Sequence, residues 1–352
     1  EEGRFAAGLL TFALMFTTVA MQAIIPRLLR RFSARVLFAA GLILIGAPTL
    51  AYAVSSSLPN LIAVTLVRGA GFGLITVMGS ALTAGYAVPG ARGTSLGAYG
   101  VATSIWATFA PAAGLAAVRS SSPLAVAALG ALPPLFGLLA LIPKMPPAPV
   151  YASHPGGQSG TVNRSTLVPP VVVFTAVSAT LAAAFTFVPL LQVGSTPLIL
   201  VLFGTSFASG RLLAGHLLDR GRSPTQLVLW LLVGAMIGLT LLGTSDIAVV
   251  GVGAAASGLA IGCVCTATLV MTLDRVGRDG VARASVIWNI TYDVGQAVGA
   301  VLFGTIASLL DPSSVFLAGG ALVALVALPA AAFDWRRVRP APPAPVAYDP
   351  GP

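Results

Sequence analysis

The chain has 352 residues, of which 57% are hydrophobic and only 8% charged, with a mean hydropathy of +0.94. Soluble domains carry about 25% charged residues, so this composition excludes a soluble globular protein and predicts an all-α, polytopic membrane protein. The net charge of +9 comes almost wholly from arginine, since Lys144 is the single lysine; in a chain this apolar it marks one side of a bilayer rather than a nucleic-acid surface.

A helix rising ~1.5 Å per residue needs ~20 apolar residues to cross ~30 Å of hydrocarbon. Eleven stretches qualify, near 5–26, 36–54, 60–86, 96–118, 123–143, 170–193, 197–218, 225–243, 247–272, 282–308 and 314–333. Only helices satisfy their backbone hydrogen bonds within such segments. The first run is too long for a signal peptide and lacks a basic region before it.

Alternate connections hold fifteen of the nineteen basic residues: Arg27, Arg30, Arg31 and Arg35; Arg92; Lys144 and Arg164; Arg220 and Arg222; Arg275, Arg278 and Arg283; Arg336, Arg337 and Arg339. The other side has only Arg4 and Arg119, while Arg68 and Arg211 lie within spans. The positive-inside rule puts the arginine-rich side, and with it the C-terminus, in the cytoplasm. The cytoplasmic membrane of a bacterium is the expected location.

Between spans five and six lies "KMPPAPVYASHPGGQSGTVNRSTLVPP", a flexible linker by its Pro, Gly and Ser content. It divides the chain into an N-terminal bundle (1–143), a cytoplasmic linker (144–169), a C-terminal bundle (170–335) and a disordered tail (336–352). The halves echo each other. Leu28, Leu29 and Arg31 fall on Leu217, Leu218 and Arg220, and Gly69 and Gly73 fall on Gly258 and Gly262, all at a displacement of 189 residues. Such repeats mark transporter architectures. The first recognisable span matches the second of the other half, so a helix is expected before Glu1, in an intact protein of twelve spans.

The stretch "GHLLDRGR" (215–222) resembles the signature loop of the major facilitator superfamily, Gly-x-Leu-x-Asp-Arg-x-Gly-Arg. It matches through Gly215, Leu217, Asp219, Arg220 and Arg222, with Gly221 shifted by one. The resemblance implies two pseudo-symmetric helix bundles that alternate access to a midplane site. It also implies that Asp219 latches the cytoplasmic side at the start of a helix from the other half. A carboxylate is favoured at a positive helix end, and an arginine can cross-link it. The first-half copy, "PRLLRRFSAR", departs from the motif, with Arg30 in the aspartate's place, so a weakened or absent latch is expected there. "LVRGAGFG" (66–73) resembles the family's fourth-helix arginine motif, and "APAAG" (110–114) a degraded form of its antiporter Gly-Pro motif. "NITYDVGQAVG" (289–299) is similar to bacterial drug or sugar efflux permeases.

Arg68, Arg211 and Asp293 are the charged residues inside spans. Each needs a partner, a wet cavity or a route to the interface, because a bare charge at mid-bilayer costs about 2.5–3.5 kcal/mol on insertion scales. Asp293 is the only acid in any span and falls near its middle. Asn289, Asp293 and Gln296 share one helical face. Trp288 and Tyr292 flank them, placed to stack on a flat or cationic compound. Asp293 is therefore the candidate proton and substrate site, the bland reading being a structural acid bonded to a neighbouring helix. The resemblance gives Arg68 a part in proton coupling, against a structural clamp. Arg211 reads as a gating or structural residue that snorkels toward the cytoplasmic end, and His216 as interfacial. Tyr99 and Trp106, with Thr103, form a weaker polar stripe, and Gln22 with Thr18 another. Cys263 and Cys265 read as small core residues.

No Gly-x4-Gly-Lys phosphate loop exists around Lys144, and no His, Cys or carboxylate cluster suggests a metal. Neither cofactor nor enzyme activity is expected. The sequence points to a monomeric secondary transporter of a small organic molecule, exchanging it for protons on Asp293. The alternatives are a proton-coupled importer on the same fold and a non-transporting remnant or scaffold.

Overall fold

In the computed structural model, residues 2–88, 90–120, 122–141, 164–188, 191, 196–276, 280–311 and 313–337 are described. They form eleven helical passes: α1 (Glu2–Leu28), α2 (Ala34–Ala53), α3 (Leu58–Tyr86), α4 (Arg92–Ser120), α5 (Pro123–Leu141), α6 (Arg164–Phe187), α7 (Thr196–Asp219), α8 (Pro224–Leu242), α9 (Ile247–Val276), α10 (Val281–Leu309) and α11 (Ser314–Arg337). Among the described residues, nine helices are long and apolar enough to cross a membrane, and α1 adds the shorter apolar run Ala13–Leu28.

Local chemistry sets the helix ends. Ser33, Ser122 and Ser223 cap α2, α5 and α8 by accepting the amide three residues on, and Asp246 does the same for α9. Pro48 and the Pro133–Pro134 pair each precede a switch to 3-10 geometry, because proline withdraws a donor from the ladder. In α11 a π-helical turn at Val323–Ala327 runs up to Pro329, which cannot donate to the preceding turn.

Helix α6 starts at Arg164, earlier than the proline-based boundary at 170. Pro170 leaves the Thr166 carbonyl without its intrahelical donor, and the Arg275 guanidinium of α9 bonds that oxygen instead. Arg275 also pairs with buried Asp334 of α11 at 2.5 Å. Residues 144–163 of the expected linker (144–169) and 338–352 of the expected tail (336–352) lie outside the described residues, while Arg336 and Arg337, placed in that tail by composition, continue α11.

Helices α6 to α11 enclose the larger apolar core, with Phe174, Phe203, Leu232, Leu239, Ile261 and Phe316 at its centre. A second core joins Ile25, Leu37, Leu74, Val77 and Met78 of the first bundle to Val286 of α10. Cys263 and Cys265 are buried and free, as small core residues. The bundles meet along two main seams, α4 against α7 and α10 against α1 and α3. One end of the molecule gathers the ends of α1, α7, α9 and α11 with the starts of α2, α4, α6 and α10. It carries the exposed Arg27, Arg30, Arg31, Arg220 and Arg222 and is called the basic end below.

Candidate functional site

The α4–α7 seam is built on glycine. Gly93, Gly97 and Gly100 repeat at helical spacing along α4, the first two facing the backbone of α7 and the third the Arg211 side chain. A Cβ on Gly93 would stand 2.5 Å from the Gly215 carbonyl, and one on Gly97 2.6 Å from that of Arg211. This close approach brings Asp219, the last residue of α7, onto the start of α4. Its two carboxylate oxygens accept the Gly93 and Thr94 amides, each at 2.7 Å. These are orphan amides at the positive end of a helix, where a carboxylate is most favoured.

Beyond Asp219 the chain turns through Gly221 at φ +80. The Gly221 and Arg222 amides bond back to the Leu218 and Leu217 carbonyls, a Schellman close that requires glycine there. This accounts for the shifted glycine of the motif. Arg220, Arg222 and Arg31 are exposed and join no ion pair among the described residues. The expected arginine cross-link to Asp219 is therefore replaced by backbone amides. The bundles are also bridged at this end by half-buried Arg92 and exposed Asp274, 3.3 Å apart.

The first half lacks the counterpart. Arg30 is exposed, and the start of α10 has no side-chain cap.

Deeper in, α10 meets α1 and α3 through its polar stripe. Asp293 is 5% exposed, and its Oδ2 accepts 2.8 Å from Nε2 of fully buried Gln22. The same nitrogen lies 3.3 Å from Thr76 Oγ1, and the Gln22 Oε1 has no partner. One turn toward the basic end, Asn289 donates to Ser80 Oγ at 3.2 Å and to the Ser285 carbonyl. One turn the other way, Gln296 is half-buried and has no hydrogen-bond partner among the described residues. Tyr99 reaches from α4 to donate to the Thr76 carbonyl at 3.3 Å.

Arg211 contradicts its sequence-based expectation. It does not snorkel: it is 7% exposed and turned into the protein. Its Nη1 donates to the Gly100 carbonyl at 3.4 Å and Thr103 Oγ1 at 3.3 Å, while Cζ sits 5.9 Å from both the Phe207 and Trp288 rings. Gly100 admits the side chain, since a Cβ there would lie 2.6 Å from Cζ. His216 is exposed, as expected for an interfacial residue.

Trp288 stacks on Phe174 at 4.5 Å and on Tyr292 at 5.9 Å, and its Nε1 donates to Thr268 Oγ1. These ring faces are already occupied by one another and by Arg211. They form a wall beside the seam rather than open plates for a flat compound. Arg68 stands apart from this group, donating to the Tyr52 hydroxyl at 3.3 Å and lying over its ring between α2 and α3. The Trp106 side chain lies outside the described residues.

Gln22, Tyr99, Arg211, Trp288, Asn289, Tyr292 and Asp293 thus converge from α1, α4, α7 and α10, within about 18 Å of the basic helix ends at ~1.5 Å per residue. Four participants escaped the sequence reading of the site: Phe174, Phe207, Thr268 and Gly100. The first three are ordinary core residue types, but the glycine spacing along α4 was visible in the sequence.

The comparisons agree with this architecture. No curated protein matches the chain. Among solved structures, the Escherichia coli fucose:proton symporter FucP aligns at 16% identity and a TM-score of 0.69, covering 94% of this chain and 91% of that one. The proton:xylose symporter XylE aligns at 16% identity and a TM-score of 0.74, covering 94% and 86%. The human organic anion transporter MFSD10 aligns at 16% and 0.69, covering 93% and 82%. The Major Facilitator Superfamily profile matches residues 3–220 and 191–347. Paired bundles, a carboxylate latch on the opposing helix and a polar site between the seams go together with that match: the chain belongs to the Major Facilitator Superfamily.

Proposed function

We propose that the protein exports a small organic molecule across the cytoplasmic membrane in exchange for protons, with its basic end in the cytoplasm and Asp293 as the proton site. The observation that carries this reading is the Asp293–Gln22 contact, a carboxylate held deep in the membrane by a residue of the other bundle. An amide serves both forms of such a partner. Nε2 donates to the carboxylate, and after amide rotation the unpartnered Oε1 accepts from the protonated acid. Proton arrival therefore changes the hydrogen bond that joins α1 to α10, which biases the two bundles between their arrangements. Asn289 and Gln296 extend the polar face on either side.

The degraded Gly-Pro motif at 110–114 favours exchange over co-transport. Co-transport is the second reading, and buried Arg211 favours it: an anion on Arg211 travels readily with a proton on Asp293.

Compound-induced proton flux in proteoliposomes tests the proposal, with cationic drugs, sugars and organic acids as the panel. Asp293→Asn is expected to reduce coupled flux about 100-fold, the scale of losing a general acid–base group. Undiminished coupling in the variant would make Asp293 structural. The direction of proton movement on compound addition separates exchange from co-transport. A protein that moves nothing in either form fits the scaffold reading.

A further inference from the structure

An arginine inside a membrane bundle usually has an acid to answer it. Arg211 has none: among the described residues it joins no ion pair, and Asp293 bonds Gln22 instead. Its Nη1 is spent on Gly100 and Thr103, which fixes the guanidinium plane. The Phe207 and Trp288 rings hold that plane in place. The remaining edge, Nε with Nη2, is buried and has no hydrogen-bond partner. That edge presents two parallel N–H donors, the arrangement that matches the two oxygens of a carboxylate. Gly100 lets the guanidinium pack against the backbone of α4, since a Cβ there would lie 2.6 Å from Cζ. The group sits on the seam between the bundles, where a transported molecule must pass.

We infer that the Nε–Nη2 edge of Arg211 is the anchor for a carboxylate group of the substrate, so that the transported molecule is a small organic acid in its anionic form. This rests on the transporter reading, favours its co-transport form, and is independent of where the proton binds. Substrate charge then replaces the missing protein acid, and the arginine is neutralised only while loaded.

Binding to the purified protein tests this, with benzoate and succinate set against their uncharged amides, benzamide and succinamide, and tryptophan fluorescence as the readout through Trp288. At least one acid is expected to bind about 10-fold or more tightly than its amide, the scale of a charge-assisted two-donor contact. Arg211→Gln is expected to erase that preference and Arg211→Lys to restore only part of it, while Asp293→Asn leaves it intact. A parent protein that prefers neither acid overturns the inference, as does a preference that survives in Arg211→Gln. If Arg211→Gln does not fold, Gly100→Ala decides, because its Cβ displaces the guanidinium and keeps the charge: lost preference supports the anchor, and retained preference overturns it. Preference lost in Asp293→Asn but kept in Arg211→Gln moves the anchor to the acid and also overturns it. Loss of proton coupling in Asp293→Asn with acid binding unchanged leaves both assignments standing and separates them.

Discussion

The α4–α7 and α1–α10 seams hold equivalent places in the 189-residue repeat, yet they close by different means. Along α4–α7, Gly93 and Gly215 let two backbones touch, and Asp219 seals the end on the amides of α4. Along α1–α10, the positions related to Gly93 and Asp219 are Ala282 and Arg30, and no latch forms. One level deeper the contrast reverses in sign. Gln22 and Arg211 are repeat equivalents, as are Ser104 and Asp293. The amide meets an acid across one seam, and the arginine meets only a carbonyl and a hydroxyl across the other. The helix geometry is shared while the chemistry divides: one seam is tied at its end by backbone amides, the other in its middle by an acid–amide hydrogen bond.

Breaking the firm seam should have the largest effect. Gly215→Val drives a branched side chain into the Gly93 backbone and is expected to cost about 3 kcal/mol, at the upper end for overpacking, read as a lower melting temperature in detergent. Asp219→Ala leaves the fold intact but removes two charge-assisted bonds. It should shift the equilibrium away from closure of the basic end by about 3 kcal/mol at ~1.5 kcal/mol per bond. Spin-label distances between the end of α7 and the start of α4 would show the opened population. Unchanged distances would mean the glycine contact alone closes the seam.

Arg30→Asp sharpens the comparison from the other side by restoring the missing acid opposite α10. A carboxylate near a helix start contributes about 0.3–1 kcal/mol, so a modest stabilisation with slower transport is expected, measured by the same labels on α1 and α10. Arg92→Ala should matter least, within about 0.5 kcal/mol, since its bridge to Asp274 is exposed. That small effect should vanish in high salt.

Hydropathy alone set the number and placement of the helices, because a bilayer requires ~20 apolar residues per pass whatever the neighbours are. Asp219 was legible through the resemblance of "GHLLDRGR" to the family's signature loop, which implies a carboxylate at a helix start of the other half. Asp293 stood out because a lone acid in an apolar span always needs an explanation. Its partner did not, since Gln22 lies 271 residues away and pairs with it only when the two bundles dock. Arg211 was misjudged because distance from the helix end suggested escape to the interface, whereas Gly100 on another helix opened an inward space that no neighbour in the chain reveals. The sequence by itself determined what must be buried in the membrane and which charges would be uncomfortable there. The tertiary structure decided how each is answered, because hydrogen-bond partners across a seam depend on the packing of whole helices and leave no periodic trace in either one.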